Sequence, residues 1–150
     1  MNTETGYKFP FEKRAYNENC TTEELEAIRH NVFKYNENVL YYKELPIISE
    51  FNIKILFDQV EQLGSTFVVP YGLVIDVTES EPPNSRVRRA INKRFSAICE
   101  SVEHVSFCSG KNILINTAIR FIMYQTHLDS FSIHTTQEAA IEAINKKING

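Results

Sequence analysis

Ser85 is followed by Arg86, Arg88 and Arg89, and preceded by the acidic, proline-bearing stretch Thr78-Glu79-Ser80-Glu81-Pro82-Pro83-Asn84. A hydroxyl at a helix start beside guanidinium groups suits a phosphate. Free backbone N–H groups and the helix dipole favour the charge by ~0.3–1 kcal/mol at exposed sites, and arginines pair with it. Glu79 and Glu81 oppose that use by repulsion, and serine at a helix start more often serves as an N-cap. Capping is therefore the first expectation for Ser85 and phosphate acceptance the second, with Ser80 and Thr78 as further acceptors. Asp76 closes the apolar run before this loop and either faces a ligand or fixes the loop behind it.

The segment Ser109-Gly110-Lys111-Asn112 precedes a helical pattern and has the composition of a small anion-binding nest. The spacing of a P-loop is missing, and a glycine turn with Ser or Asn as cap is the plainer account. Of His30, His104, His127 and His134, none makes a metal-binding spacing with another histidine or a cysteine. His134 adjoins Thr135 at the end of a short apolar run and is expected near the same edge. No G-x-S-x-G nucleophile motif occurs, and Asp76 and Asp129 are too far apart in sequence to argue for a carboxylate pair. Nothing indicates a cofactor, a metal or a catalytic group.

Composition narrows the function classes. A net charge of −3 over 150 residues gives no general drive toward nucleic acid or an anionic membrane. Cys20, Cys99 and Cys108 form no C-x-x-C pair, which fits a reducing compartment, with Cys99 and Cys108 read as small buried hydrophobes. The start Met1-Asn2-Thr3-Glu4-Thr5 lacks a leader's basic and apolar regions, and no apolar cluster is long enough to span a bilayer. A cytoplasmic location is the expectation.

The elements that must hold these groups are clearest in the second half. Three apolar runs, Tyr71–Val77, His104–Cys108 and Phe131–His134, are each followed by helical spacing. Strand–helix units in series imply a parallel sheet, because parallel neighbours need a crossover. Val87, Ala90, Ile91, Phe95, Ile98 and Val102 form one apolar stripe on a helix that opens near Ser85. Its basic side chains divide between Arg86, Arg89 and Lys93 on one side and Arg88 on another. Such a face docks an acidic partner or is simply solvated. First-turn arginines work against the dipole, which argues modestly for a use.

The next helix, from Asn112 to Tyr124, is apolar nearly all round and is expected to be well covered. The last starts at the capping-box spacing Thr135-Thr136-Gln137-Glu138. Upstream, Ser49 caps a helix to Leu63 that Gly64 stops. Residues 21–45 read as a hairpin, Ile28–Tyr35 with Val39–Leu45, after a short helical turn at Thr21–Glu24. Residues 1–20 form an N-terminal extension whose aromatic residues lie on the surface of one domain, 21–150. The loops 78–85, 109–112 and 135–136 should share the carboxyl edge of the sheet, where open α/β sheets bind ligands.

A leading hairpin, a helix, then alternating strands and helices resembles the STAS fold, most closely its SpoIIAA-like branch of anti-sigma-factor antagonists. The residues that carry the likeness are Tyr71-Gly72-Leu73-Val74-Ile75-Asp76, His104-Val105-Ser106 and Ser132-Ile133-His134-Thr135-Thr136-Gln137-Glu138-Ala139-Ala140. It covers roughly residues 25–148. The resemblance implies an α/β fold with a mixed sheet of about five strands and four main helices. It also implies a non-enzymatic regulatory domain that binds a protein partner, such as a signalling kinase, through the loop and helix start at 78–89. In that branch a kinase phosphorylates a serine that opens the helix after the Asp-ended strand. Asp76 and Ser85 match those places, but the family's Asp-Ser-Ser-Gly turn is replaced by the longer loop 78–85. The alternative is an anionic or lipid-like ligand held at the strand edge by Lys111, Thr135 and Arg86. An unpaired hairpin edge would also allow a homodimer.

Overall fold

The computed structural model describes residues 9–68, 70–126, 128 and 130–149, so Tyr7, His127 and Asp129 lie outside it. In chain order the elements are α1 (Thr22–Arg29), β1 (Val32–Asn36), β2 (Val39–Lys43), α2 (Glu50–Gly64), β3 (Tyr71–Asp76), α3 (Ser85–Ile98), β4 (Val102–Cys108), α4 (Ile113–Gln125), β5 (Phe131–His134) and α5 (Gln137–Asn149). The five strands lie side by side in sequence order. The β1–β2 pair is antiparallel and every other pair parallel.

Sequential strand order with crossovers of one hand puts α2, α3 and α4 on the same face of the sheet. There they enclose the larger core, built from Leu56, Phe57, Phe95 and Ile119 against Leu73, Ile75, Val105 and Phe107. The other face is covered by α5, whose Ala140, Ile141 and Ile144 meet Val39, Tyr41, Val74 and Cys108. The period of two along each strand divides the residues between the two faces. Buried on both sides, β3 is apolar until it reaches Asp76. Gly72 lets α5 come close: a Cβ there would stand 2.6 Å from Ile144 Cγ1.

Several boundaries differ from expectation. The first segment is a true helix, because the Thr21 hydroxyl accepts from Glu24 N while the Glu24 carboxylate accepts from Thr21 N. Ala27 and Ile28 are buried on that helix, so the first strand begins at Val32 and the sheet carries five helices. Asn84 caps α3, its Oδ1 accepting from Val87 N at 2.9 Å, and Ser85 is the first helical residue. That helix ends at Ile98, leaving Val102 to open β4. Helix α5 is capped by Thr136, whose hydroxyl accepts from Ala139 N, one residue later than the capping-box spacing indicates. Gly64 belongs to α2, and Ser65 follows it as the cap.

The largest departure is α4. Ile115, Ile119, Ile122 and Met123 are buried, but Ile113, Leu114, Phe121 and Tyr124 are 77, 69, 50 and 88% exposed. At the other end of the chain, Phe11 packs on the core and Tyr16 is inside it at 2% exposure. Cys108 is buried, while Cys99 is only half-buried.

Candidate functional site at the carboxyl edge of the sheet

Asp76 ends β3 in a nearly dry place, and its oxygens are taken up inside the fold. Oδ2 accepts from the Tyr41 hydroxyl at 2.7 Å. Oδ1 accepts from Thr78 N at 3.0 Å and from the Thr78 hydroxyl at 2.7 Å. Gln137 Nε2 donates in turn to the Tyr41 oxygen at 2.6 Å, so α5 joins the same network. Burial, and then the nearby Asp76 charge, raise the Tyr41 pKa far above the usual phenol range, which keeps its proton in place for Asp76. Lys43 Nζ lies 3.9 Å from Asp76 and 3.5 Å from Glu79. Asp76 therefore shapes the start of the loop.

The loop is tied down along its length. Ser80 is buried, and its hydroxyl donates to the Leu45 carbonyl at 2.7 Å. Glu81 N bonds to the Pro46 carbonyl. Thr78 is exposed but its hydroxyl is committed to Asp76. Ser85 is exposed on the first turn of α3, where the backbone N–H groups have no helical partner. Arg86 Nε donates to Glu50 at 2.8 Å, and Arg89 points to solvent.

Lys111 and Thr135 are exposed on the two neighbouring loops, which the bond from Ser109 N to the His134 carbonyl links. Gly110 has φ of +66°, a conformation that favours glycine, and a Cβ there would lie 4.0 Å from Thr78 Cγ2. The edge thus brings Asp76, Thr78 and Lys43 together and sets the 109–112 turn beside them. Ser85, Arg86 and Arg89 stand apart at the start of α3.

Two features were not legible as sites. The first is a groove of about 350 Å³ between α3 and α4, lined by Pro82, Arg88, Leu114, Thr117, Ala118 and Phe121. The Arg88 guanidinium stacks over the Phe121 ring at 5.4 Å and donates to the Pro83 carbonyl at 3.0 Å. Neither α3 nor α4 contains a carboxylate, whereas Arg86, Arg88, Arg89, Lys93, Arg94 and Arg120 lie on them. Arg86 and Arg94 are paired with Glu50, Asp58 and Glu61 of α2. Arg88, Arg89, Lys93 and Arg120 have no carboxylate partner among the described residues. The acid-free stretches were the available signal, visible once the two helices are known to be neighbours.

The second feature is Glu44, fully buried beside a cavity of about 50 Å³ walled by Ile91, Phe95, Phe107 and Ile119. Its carboxyl accepts from the Tyr42 hydroxyl at 2.8 Å and from Leu45 N at 2.9 Å, yet burial dominates and raises its pKa to about 7. Space of that size suits a water or two, and no helix among the described residues is long and apolar enough to cross a membrane.

No protein-family model matches the chain, and no curated protein does. Among solved structures it is similar to an uncharacterised protein of the DUF3478 family with a SpoIIAA-like fold from Shewanella loihica PV-4. That similarity has a TM-score of 0.58 at 14% identity and covers 75% of this chain and 89% of the other. With strand order, crossovers and this match in agreement, the chain has a SpoIIAA-like α/β fold.

Proposed function

We propose that this protein is a non-enzymatic regulatory domain of the cytoplasm that docks a partner protein at the loop 78–89 and the adjoining face of α4. The partner segment it fits is amphipathic and acidic. The observation that carries this reading is the exposed apolar stripe of Leu114 and Phe121 beside Pro82, edged by Arg88, with Arg89 and Arg120 exposed on the same two helices. Fully covering a Leu or Phe side chain is worth ~1.5–3 kcal/mol each. A helix face left this apolar is a cost in water that a partner would relieve. The bases supply charge complementarity, and specificity follows from their lack of internal acids.

Ser85 is exposed on the first turn of α3, three residues before Arg88, where a partner kinase could reach it. A phosphate there would place negative charge on the side of the groove that attracts acids, so modification would weaken docking. The small-ligand alternative has less support at this edge, because the cavity beside Glu44 is small and the polar groups around Asp76 are already bonded to one another.

A photo-crosslinking amino acid placed at Phe121 in the native host tests the reading. A discrete protein adduct is expected, joined through an acidic, amphipathic segment, and reduced by Arg88→Glu. Adducts identical to those from a probe at the exposed Glu142 of α5, or adducts only with lipid or a second copy of the chain, would overturn it.

A further inference from the structure

On the opposite face, near the β5 edge of the sheet, side chains from β4, β5 and the residue before β5 form a hydrogen-bonded row. His104 Nδ1 is 2.6 Å from Ser130 Oγ, and His104 Nε2 is 3.0 Å from Ser132 Oγ. His134 Nε2 closes the row, 2.7 Å from Ser132 Oγ. A concave surface of about 580 Å³ opens over His104, Ser130 and Ser132, with Phe131 and Ala143 as apolar wall and Lys146 and Lys147 of α5 at its rim. Neither lysine has a carboxylate partner among the described residues. Lysines at the end of a helix are explained in part by its dipole. The dipole does not explain why two serine hydroxyls and a 3% exposed histidine converge on the same surface.

The protons of this row can be counted. Burial, then the Lys147 and His134 charges, hold the His104 pKa down at about 4, so its ring is neutral near pH 7 and carries one N–H. Burial lowers His134 as well. Each tautomer of His104 can satisfy all three contacts. In one, Ser130 donates to His104 Nδ1, His104 Nε2–H donates to Ser132, and Ser132 either donates to His134 Nε2 or accepts from it. In the other both His104 bonds are reversed: His134 Nε2–H donates to Ser132, Ser132 to His104 Nε2, and His104 Nδ1–H to Ser130. Only the second leaves the Ser130 proton free to point into the concave surface.

We propose that this surface binds the phosphate of a phosphomonoester through Lys146, Lys147 and the Ser130 hydroxyl, and that binding selects the second arrangement of the His104–Ser132–His134 row. A phosphomonoester carries nearly two negative charges at neutral pH, which two ammonium groups and a hydroxyl can answer. Phe131 and Ala143 give its organic part an apolar wall. The site lies toward the amino ends of the strands, away from the edge where α/β sheets usually bind ligands, so its case rests on these side chains alone.

The test is nitrogen-15 NMR of the whole chain, titrated with inorganic phosphate and, separately, with glycerol 3-phosphate. Saturable shifts are expected at Ser130, Ser132, Lys146 and Lys147, with the His104 ring proton moving from Nε2 to Nδ1. Affinity should fall by about tenfold or more in the Lys146→Gln/Lys147→Gln variant, whose exposed substitutions leave the fold intact. Tighter binding of glycerol 3-phosphate supports an organic phosphate as the natural occupant, and equal binding supports free phosphate. No saturation at millimolar concentrations, or saturation unchanged in the lysine variant, overturns the site. Saturation with the His104 proton unmoved overturns the coupling.

Discussion

Glu44 and His104 carry pKa values displaced in opposite directions by the same cause, burial, and the consequences for stability have opposite signs. The Glu44 pKa is raised from 4.5 to about 7, so the fold binds a proton more tightly than the unfolded chain. Its contribution is fully present below pH 4.5 and is lost as pH rises through about 7, a change of order 3 kcal/mol. The His104 pKa falls from 6.5 to about 4, so its contribution is present above 6.5 and lost as pH drops through about 4. Between about pH 4.5 and 6.5 the two slopes oppose each other. Glu44→Gln keeps an acceptor for Leu45 N, reverses the Tyr42 bond so that Nε2 donates to the hydroxyl oxygen, and removes one slope. The variant is expected to be more stable than the wild type at pH 8, and its advantage should shrink to nothing by pH 4.5. Urea midpoints for both proteins across this range check it. Parallel profiles would mean that Glu44 keeps its ordinary pKa.

At the scale of elements, the start of α3 moves the cap from Ser85, where the sequence pattern points, to the adjacent Asn84. Asn84 makes the capping bond, while Ser85 only begins the helix. Asn84→Ala is therefore expected to cost about 1 kcal/mol and Ser85→Ala close to nothing, as thermal or chemical denaturation would reveal. The reverse order of costs would place the cap on Ser85. The strand–helix series and the caps of α2 and α4 were legible because each has a local cause: a spacing or a capping side chain. The first strand was read too early because Ile28 is β-branched, and the Thr21–Glu24 box carried the helix through it. Helix α4 was legible as apolar but not as exposed. Periodicity reports composition around a helix, whereas exposure depends on which neighbours arrive, and α3 meets α4 only along one side. For the same reason the His104 row was hidden, since its serines are brought to it by strand pairing across β4 and β5. Leu114→Asp should consequently leave stability within about 0.5 kcal/mol of wild type, as a substitution at a solvent-facing position. A loss of several kcal/mol would mean that this face is covered in the free protein, and would remove the surface on which docking was proposed.

For the molecule as a whole, a net charge of −3 conceals a segregated surface. Acids are absent from α3 and α4, and those of α2 are partly spent on Arg86 and Arg94. What remains toward solvent on the α3–α4 side is positive and apolar together, on a chain that would otherwise repel acidic proteins. A SpoIIAA-like fold does not by itself decide what such a surface does, because function resides in the site and not in the architecture. Salt separates the two forces available to it. Screening lengths fall from ~30 Å at 0.01 M ionic strength to ~3 Å at 1 M. If the bases guide an acidic partner onto the groove, the association rate of the crosslinked partner, once purified, should drop steeply with salt while dissociation changes little. Arg89→Glu should flatten that dependence, and Leu114→Asp should instead speed dissociation at every ionic strength. An association rate indifferent to salt would leave the apolar stripe as the sole determinant, and the charge segregation would then be no more than the solvated face of two helices.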